Sequence, residues 1–244
     1  MIGPDDIATY VVNLPRRPDR REWIHAQLPA GLPVTYTSDM HGTFDGRHLT
    51  LDSLRAAGVT LFDWPIDSDN PWWNRPLKYG EIGCTLAHLA CWQDATEQSE
   101  SEYVLILEDD AILGTNFLSH LLDGLNLLQQ QSISFDLLYL GRYPLEPDRP
   151  APLPRFVYPG YSHCSYAYLV TRSALAGLLA AGLAEAVIPI DEFLPAMYQP
   201  HARPDLHARF PPQLTALAFD PPLVTQRPKL EAGSDTEDSE FVEP

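Results

Sequence analysis

The chain carries the stretch YVLILEDDAIL at residues 103–113, and this stretch decides how the rest of the sequence is interpreted. Its first five residues form one unbroken apolar run, too short for a helix and bounded by polar residues, which predicts a buried β-strand. Three carboxylates, Glu108, Asp109 and Asp110, follow at once. In open α/β sheets, ligands bind beyond the carboxyl ends of the strands. We therefore expect these acids to lie where a ligand would bind.

The spacing of the acids suggests a metal site but does not decide it. Glu108 and Asp110 are two positions apart, so only the bend that ends the strand can turn both side chains toward one point. Clustered hard oxygen ligands suit Mg²⁺ or Mn²⁺, which usually complete their coordination with substrate phosphate and water. The alternative is a solvated acidic turn after a strand.

Length and charge limit the classes of protein that the chain can belong to. Its 244 residues are enough for one α/β domain with a full core. We predict a single domain over residues 1–230 and an acidic tail over residues 231–244, which holds six acids and no base and is expected to be disordered. A formal net charge of −17 disfavours nucleic acid as a partner. An anionic substrate would need local basic groups or a metal.

The chain shows no feature that is typical of export. No apolar run approaches the ~20 residues needed to cross a membrane, and the acidic stretch from Met1 to Asp6 does not resemble a signal peptide. The three cysteines are odd in number and lack metal-type spacing. We expect a cytoplasmic protein with free thiols, without a transmembrane segment, and peripheral contact with a membrane is left open.

A cluster of arginines follows the first predicted strand, Ile7–Asn13. Four arginines fall within residues 16–21, at the turn into a helix that is expected to run to about residue 28. Helix N-termini attract anions through their free N–H groups and the helix dipole. The cluster therefore suggests a phosphate or nucleotide site. The alternative is a solvated helix start whose arginines pair with Asp19 and Glu22.

A second polar pair lies on a predicted helix from about Lys78 to Gln98. Glu81 and His88 are seven positions apart and project together beside a buried stripe. Such a pair is either hydrogen-bonded internally or used in function. A packed core histidine is the alternative for His88.

The remaining elements complete an alternating α/β pattern. Asp191 and Glu192 follow Pro189 and resemble the first turn of a helix. Asp191 has either a functional role or the structural role of a helix cap. Residues 144–159 hold six prolines and are predicted to be a loop. We predict further strands at 34–37, 135–140, 164–170, 214–219 and 223–225, and further helices at 49–57, 117–130 and 173–184.

The ordered set of motifs resembles glycosyltransferase family 25, which includes bacterial lipopolysaccharide galactosyltransferases and the procollagen galactosyltransferases. The segments RPL at 75–77, DEFLP at 191–195 and SDTE at 234–237 look closest to the collagen-modifying branch. One departure is TQRP at 225–228, where that branch has a segment with histidine and tyrosine. The other matching segments are VVNL (11–14), RRPDRR (16–21), GEIGC (80–84), LAH (86–88), LEDD (107–110), 136–141 and 166–172.

The resemblance implies a GT-A fold, an α/β Rossmann-like nucleotide-sugar-binding domain with a mostly parallel central sheet flanked by helices. It implies metal-dependent, inverting transfer of a hexose from a UDP-sugar to a hydroxyl of a saccharide or a hydroxylysine-bearing, collagen-like peptide, with galactose favoured and glucose the alternative. A non-catalytic nucleotide-sugar or carbohydrate-binding domain is the competing interpretation.

The resemblance also assigns roles to residues. Mn²⁺ or Mg²⁺ would be held by Asp110 with Glu108 or Asp109. Inversion needs one base opposite the leaving group, and we expect Asp191 in that role, with Glu192 as the reserve, because the first turn of a helix keeps a carboxylate ionised. The expected donor-binding residues are Asn13, Leu14, Arg16, Arg17, Lys78, Glu81, His88 and Asp109.

Overall fold

A computed structural model describes residues 1–243, in which a large sheet carries helices on both faces. The strands are β1 (Ile7–Val12), β2 (Val34–Tyr36), β3 (Tyr103–Glu108), β4 (Ala111–Leu113), β5 (Leu137–Pro144), β6 (Arg149–Pro150), β7 (Phe156–Tyr158), β8 (Ser162–Thr171), β9 (Ala216–Phe219) and β10 (Val224–Gln226). The helices are α1 (Pro18–His25), α2 (Leu51–Ala56), α3 (Tyr79–Gln98), α4 (Phe117–Gln130), α5 (Arg172–Ala180), α6 (Ile190–Ala196), α7 (Pro204–Arg209) and α8 (Lys229–Ala232).

The large sheet has eight strands in the order β2-β1-β3-β8-β5-β9-β7-β6. β1 runs parallel to β2 and β3, and β5 runs parallel to β9, while β8 lies antiparallel between β3 and β5. The predicted Rossmann-like α/β architecture is confirmed, with a sheet more mixed than expected. The chain between β5 and β8 contains β6 and β7 but no helix, and without a helical crossover β8 returns antiparallel. β4 and β10 form a separate antiparallel pair.

Two hydrophobic cores cover the two faces of the sheet, and β3 contributes to both. Val104 and Ile106 pack into the core formed with α3, α5 and α6, whereas Leu105 and Leu107 pack into the core formed with α1 and α4. All four side chains are fully buried. This explains the unbroken apolar run, because a central strand covered on both faces has no solvent side. The three acids therefore begin where the cores end.

The proline-rich segment after β5 is not only a loop, as the sequence analysis predicted. It contains β6 and β7, and β7 pairs with β9 through Phe156 opposite Phe219. These two rings pack with their centroids 4.8 Å apart. Pro150 lies in β6, at the edge of the sheet, where a missing N–H leaves no ladder bond unmade. The high proline content predicted a loop, and the two short strands were therefore not predicted.

Within the described residues, the acidic tail contacts the rest of the chain. Asp235 forms ion pairs with Arg16 and Arg17, and the Val242 N–H donates to the Leu77 carbonyl at 2.8 Å. Asp235 looks unpaired in the sequence because its arginine partners lie more than 200 positions away. Pro244 falls outside the described residues. Within residues 1–243, none of the helices combines the length and apolar character that crossing a bilayer requires.

A close contact between α3 and the preceding loop generates a prediction about stability. A Cβ atom at Gly83 would clash with the Phe44 carbonyl oxygen, whereas one at Gly177 in α5 would have no neighbour within 4 Å. We expect Gly83→Ala to lower the free energy of unfolding by about 1–3 kcal/mol through overpacking. Gly177→Ala should raise it by up to ~1 kcal/mol through helix propensity. Urea denaturation measures both, and the same sign for both variants would contradict the packing described here.

Candidate active site

A cavity of about 220 Å³ opens beyond the carboxyl end of β3, at the position that the acid triplet predicted. Seven carboxylates line it, and four of them come from two places: Glu108 and Asp110 at the end of β3, and Asp191 and Glu192 in the first turn of α6. A smaller cavity of about 60 Å³ adjoins it and also borders Glu108. The fold therefore gathers acids that are about 80 positions apart in the sequence.

Asp109 lies in the same turn, but both of its carboxylate oxygens accept hydrogen bonds from other side chains of the protein. Its Oδ2 accepts a hydrogen bond from Asn13 Nδ2 at 2.8 Å, and its Oδ1 accepts one from Arg20 Nη1 at 2.9 Å. Asp109 and Arg20 are both buried. Burial raises the pKa of Asp109 to about 6, against the opposing effects of Arg20 and Asn13. Both oxygens of Asp109 are thus already used within the protein.

Glu108 and Asp110 face the cavity and have weaker protein partners. Glu108 Oε1 accepts from Ser165 Oγ at 2.9 Å, and Asp110 accepts from Gln226 Nε2 at 3.2 and 3.3 Å. Burial and the Asp191 carboxylate raise the pKa of Glu108 to about 8, and burial and Glu108 raise the pKa of Asp110 to about 6. The protein therefore compensates the ionised forms of these two carboxyls poorly, and a bound cation would favour them.

Ser165 in β8 joins the two groups of acids. Its side chain donates to Glu108, and its backbone N–H donates to Asp191 Oδ1 at 2.9 Å. Asp191 therefore bonds to β8 and not to the N–H groups of its own helix, which contradicts the helix-cap interpretation. Among the described residues, this is the one hydrogen bond of the Asp191 carboxylate, so its Oδ2 has no partner there.

Glu192 has a different environment from its neighbour. It is buried, His201 Nε2 donates to its Oε2 at 2.8 Å, and Trp73 Nε1 donates to its Oε1 at 3.1 Å. The Tyr161 hydroxyl also donates to Oε2, and His163 Nε2 lies 3.6 Å from Oε1. Burial acts to raise the pKa of Glu192, but the adjacent His163, His201 and Tyr161 side chains outweigh it and hold the pKa well below its usual range.

The arginine cluster meets the C-terminal segment. Arg16 Nη1 and Arg17 Nη1 each lie 2.6 Å from the Asp235 carboxylate, and Arg20 Nη1 lies 3.7 Å from it. Arg16 also pairs with Asp45 at 2.5 Å. Asp235 thus occupies the place where the sequence analysis expected an anionic ligand, and the pairing with Asp19 accounts for Arg17 only in part.

The other predicted donor-binding residues divide into two groups. Asn13 and Leu14 line the smaller cavity. Lys78 caps α3 and donates from Nζ to the Glu237 carbonyl, so its charge is directed to the C-terminal segment. Glu81 borders the main cavity, but it accepts from the Lys78 N–H at 2.8 Å and pairs with Arg75 at 2.5 Å. Lys78 and Glu81 therefore stabilise the start of α3 in this structure.

His88 lies beneath the cavity and is fully buried. Its Nδ1 is 2.8 Å from the Tyr168 hydroxyl, which also accepts from Trp92 Nε1 at 3.1 Å. Its Nε2 points toward Glu108 Oε1 at 3.6 Å. Burial lowers the pKa of His88 to about 4. The structure does not bring His88 and Glu81 into contact as a pair.

Sequence reasoning missed several side chains at this site. Tyr161, His163 and Ser165 lie on β8 or just before it, and His201 lies between α6 and α7; no local pattern marked them. Asp235 stood inside the SDTE motif, but the acidic composition around it suggested disorder. Contacts of this kind depend on pairing between distant strands, which a local pattern does not reveal.

The buried Arg20–Asp109 pair generates a prediction, with an exposed pair on the same helix as its control. Arg20→Met leaves Asp109 buried without its cation, so we expect the free energy of unfolding to fall by about 3–5 kcal/mol. Arg21 pairs with exposed Asp39 at 2.6 Å, so Arg21→Met should cost no more than about 1 kcal/mol. Chemical denaturation of both variants checks this, and equally small losses would contradict it.

Comparison with known proteins identifies the family of the chain. A family model described as glycosyltransferase family 25 (LPS biosynthesis protein) matches residues 6–144. Inactive glycosyltransferase 25 family member 3 of Homo sapiens is 33% identical over 98% of this chain and 40% of its own length. Procollagen galactosyltransferase 1 of Danio rerio is 31% identical over 91% of this chain and 36% of its own. Procollagen galactosyltransferase 2 of Homo sapiens is 29% identical over 82% of this chain and 31% of its own. The chain thus spans 40% or less of these relatives' length, and it belongs to glycosyltransferase family 25.

Proposed function

We propose that this domain is a metal-dependent, inverting glycosyltransferase that moves a hexose from a UDP-sugar to an acceptor hydroxyl. The observation that supports this most is the convergence of Glu108, Asp110 and Asp191 on one cavity, with Ser165 hydrogen-bonded to the first and the last. Glu108 and Asp110 can bind a metal, and Asp191, which has fewer hydrogen bonds, can act as a base. A metal-assisted direct displacement on a nucleotide sugar uses both functions.

The acid pair after β3 fits a hard divalent cation. Glu108 and Asp110 offer carboxylate oxygens to the same cavity, which is the ligand chemistry that Mn²⁺ and Mg²⁺ prefer. When bound, such an ion would neutralise charge on the diphosphate as UDP leaves. Asp109 contributes indirectly, because its bonds to Asn13 and Arg20 fix the turn that presents the other two acids.

The donor would enter beside the arginines and the smaller cavity. A diphosphate carries the same kind of charge as the Asp235 carboxylate, so it can replace Asp235 on Arg16 and Arg17 without leaving either cation unpaired. Asn13 and Leu14 border the smaller cavity and are available to the nucleoside. The C-terminal segment would then shift when the donor binds.

Asp191 is the favoured base and Glu192 the organiser of its surroundings. One Asp191 oxygen accepts from Ser165 and the other is available to an acceptor hydroxyl. Both Glu192 oxygens already accept hydrogen bonds from Trp73, Tyr161 and His201. A carboxylate held so firmly ionised is a weak proton acceptor, which favours Asp191.

The acceptor is proposed from the relatives and from the lining of the cavity. Three relatives are named procollagen galactosyltransferases, which supports galactose as the sugar and a hydroxylysine-bearing peptide as one acceptor. Trp64 and Trp72 line the cavity beside the α6 acids. Aromatic rings of this kind pack against the apolar face of a sugar or against a peptide, so a saccharide acceptor is equally compatible.

A non-catalytic nucleotide-sugar-binding domain is the second candidate. Four of the relatives carry names that include the word inactive, and the arginine cluster is already paired with Asp235. Binding and turnover must therefore be measured separately.

The metal assignment predicts the behaviour of one variant. Asp110→Asn should abolish Mn²⁺-dependent UDP binding in calorimetry and leave the fold intact, because Asp110 lies beyond the strand and outside both cores. Asp52→Asn, at an exposed acid in α2, is the matched control and should bind as the wild type does. Unchanged UDP affinity in the Asp110 variant would refute the metal assignment.

The base assignment predicts a loss of turnover without a loss of donor binding. Asp191→Asn keeps the size and most of the hydrogen bonding of the side chain but cannot take up the acceptor proton, so turnover should fall roughly a hundredfold or more. Affinity for the UDP-sugar should stay nearly unchanged. Glu192→Gln is the control, with a smaller loss of turnover and a lower melting temperature. If Glu192→Gln alone is inactive, the base is Glu192, and if both variants stay active the base lies elsewhere.

A further inference from the structure

A second set of ligand atoms lies at the junction of α3 and β3. The Cys84 sulfur, a ring nitrogen of His88 and a carboxylate oxygen of Glu108 all lie within 4.8 Å of one another. Cys84 and His88 are four positions apart on α3 and therefore share one face of the helix. Glu108 ends the strand that packs beside that face.

The orientation of His88 points to a ligand. Its Nδ1 is held by the Tyr168 hydroxyl at 2.8 Å, which fixes the plane of the ring. Its Nε2 is buried and has no hydrogen-bond partner among residues 1–243. A buried polar atom is rarely left without a partner. Metal-binding histidines typically have this arrangement, with one ring nitrogen hydrogen-bonded and the other free for the ion.

The distance between His88 and Glu108 suits two ligands of one metal ion. Nε2 and Oε1 are 3.6 Å apart, which is too long for a hydrogen bond. Two ligands of one tetrahedral Zn²⁺, each bonded at about 2.0–2.2 Å, stand roughly 3.3–3.6 Å apart. The gap therefore has the width that an ion between these atoms requires.

The set is accessible and suited to a particular class of metal. Cys84 and Glu108 line both cavities, so an ion can enter from solvent and keep a water or substrate as its fourth ligand. Thiolate, imidazole and carboxylate together favour Zn²⁺ or Co²⁺, whereas Mn²⁺ and Mg²⁺ favour oxygen ligands alone.

We propose that Cys84, His88 and Glu108 form a binding site for a borderline-soft divalent cation, of which Zn²⁺ is the representative. The ion binds the Cys84 sulfur as a thiolate, and the thiol proton passes to solvent; no electron is transferred. Because Glu108 belongs to both sets, Zn²⁺ at this site competes with the Mn²⁺ that Glu108 and Asp110 would hold. Only this competition rests on the proposed function.

Cobalt reports the site directly, because Co²⁺ replaces Zn²⁺ and gives a thiolate charge-transfer band and strong visible bands when four-coordinate. Titration of the full, metal-free chain with Co²⁺ should produce both signals at one equivalent, and Zn²⁺ should remove them. Cys84→Ser should lose the charge-transfer band and at least ~10-fold in Zn²⁺ affinity, measured by chelator competition. Cys164→Ser, at another thiol that lines the main cavity, should keep both.

A measurement on the unmodified chain guards against misfolded variants. One equivalent of Zn²⁺ should protect Cys84, and not Cys164, from alkylation, as read by peptide mass spectrometry. The proposal is overturned if wild-type protein shows no charge-transfer band, if Zn²⁺ leaves Cys84 unprotected, or if the two serine variants bind Zn²⁺ equally.

Competition with manganese is tested separately. With Zn²⁺ bound, Mn²⁺-dependent UDP affinity should fall at least ~10-fold in the wild type and recover in Cys84→Ser. Unaltered UDP affinity would overturn the shared use of Glu108. If UDP does not bind with Mn²⁺ at all, the proposed function fails, and the cobalt spectrum still decides the zinc site.

Discussion

The buried ion pair between Asp109 and Arg20 is the constraint on which the candidate site depends. It joins the end of β3 to α1, and Asn13 at the end of β1 binds the other oxygen of the same carboxylate. Arg20 also donates from Nη2 to the carbonyls of Ala232 and Gly233 at 3.0 and 2.7 Å, so the C-terminal segment is attached to the same point. The middle acid of the triplet therefore holds the turn in place, and its two neighbours are left to face the cavity.

Charge explains why the site is built from distant parts of the chain. A protein with a net charge of −17 has few basic side chains that are not paired with acids. Three of its arginines, Arg16, Arg17 and Arg20, lie next to one another in the structure and share Asp235. Across the cavity, Glu108 and Asp110 have no close cation within residues 1–243 except Arg20, whose Nη1 is 3.8 Å from Asp110 Oδ2. One side of the site thus offers positive charge and the other offers carboxylates, which is the polarity that a diphosphate with a divalent cation would meet.

The sequence was sufficient for the elements whose pattern is local. The apolar run at 103–107 predicted β3, amphipathic periodicity predicted α3 and α4, and proline followed by two acids predicted the start of α6. Ordered motifs along the chain predicted the family, which the family model confirms. These features depend on windows of about 5 to 20 residues, in which strand burial, helix faces and helix caps produce recognisable sequence patterns.

The rest depended on pairing between distant segments. Nothing near Ser165 indicates that it contacts both Glu108 and Asp191, and that role follows from the antiparallel insertion of β8 between β3 and β5. The partners of Glu192 come from three separate segments, at Trp73, Tyr161 and His201. The acidic C-terminal segment looked disordered because its arginine partners lie at the other end of the chain.

The measurement that tests the central claim most directly is release of UDP from a panel of UDP-hexoses by the wild-type chain with Mn²⁺. It should be run with a hydroxylysine-bearing peptide, with a saccharide acceptor and with neither. The account predicts that one UDP-hexose is consumed over many turnovers, faster with an acceptor, and that chelation of the metal stops the release. Mn²⁺-dependent binding of UDP-hexoses without UDP release under any of these conditions would contradict it and would make this chain a binding domain.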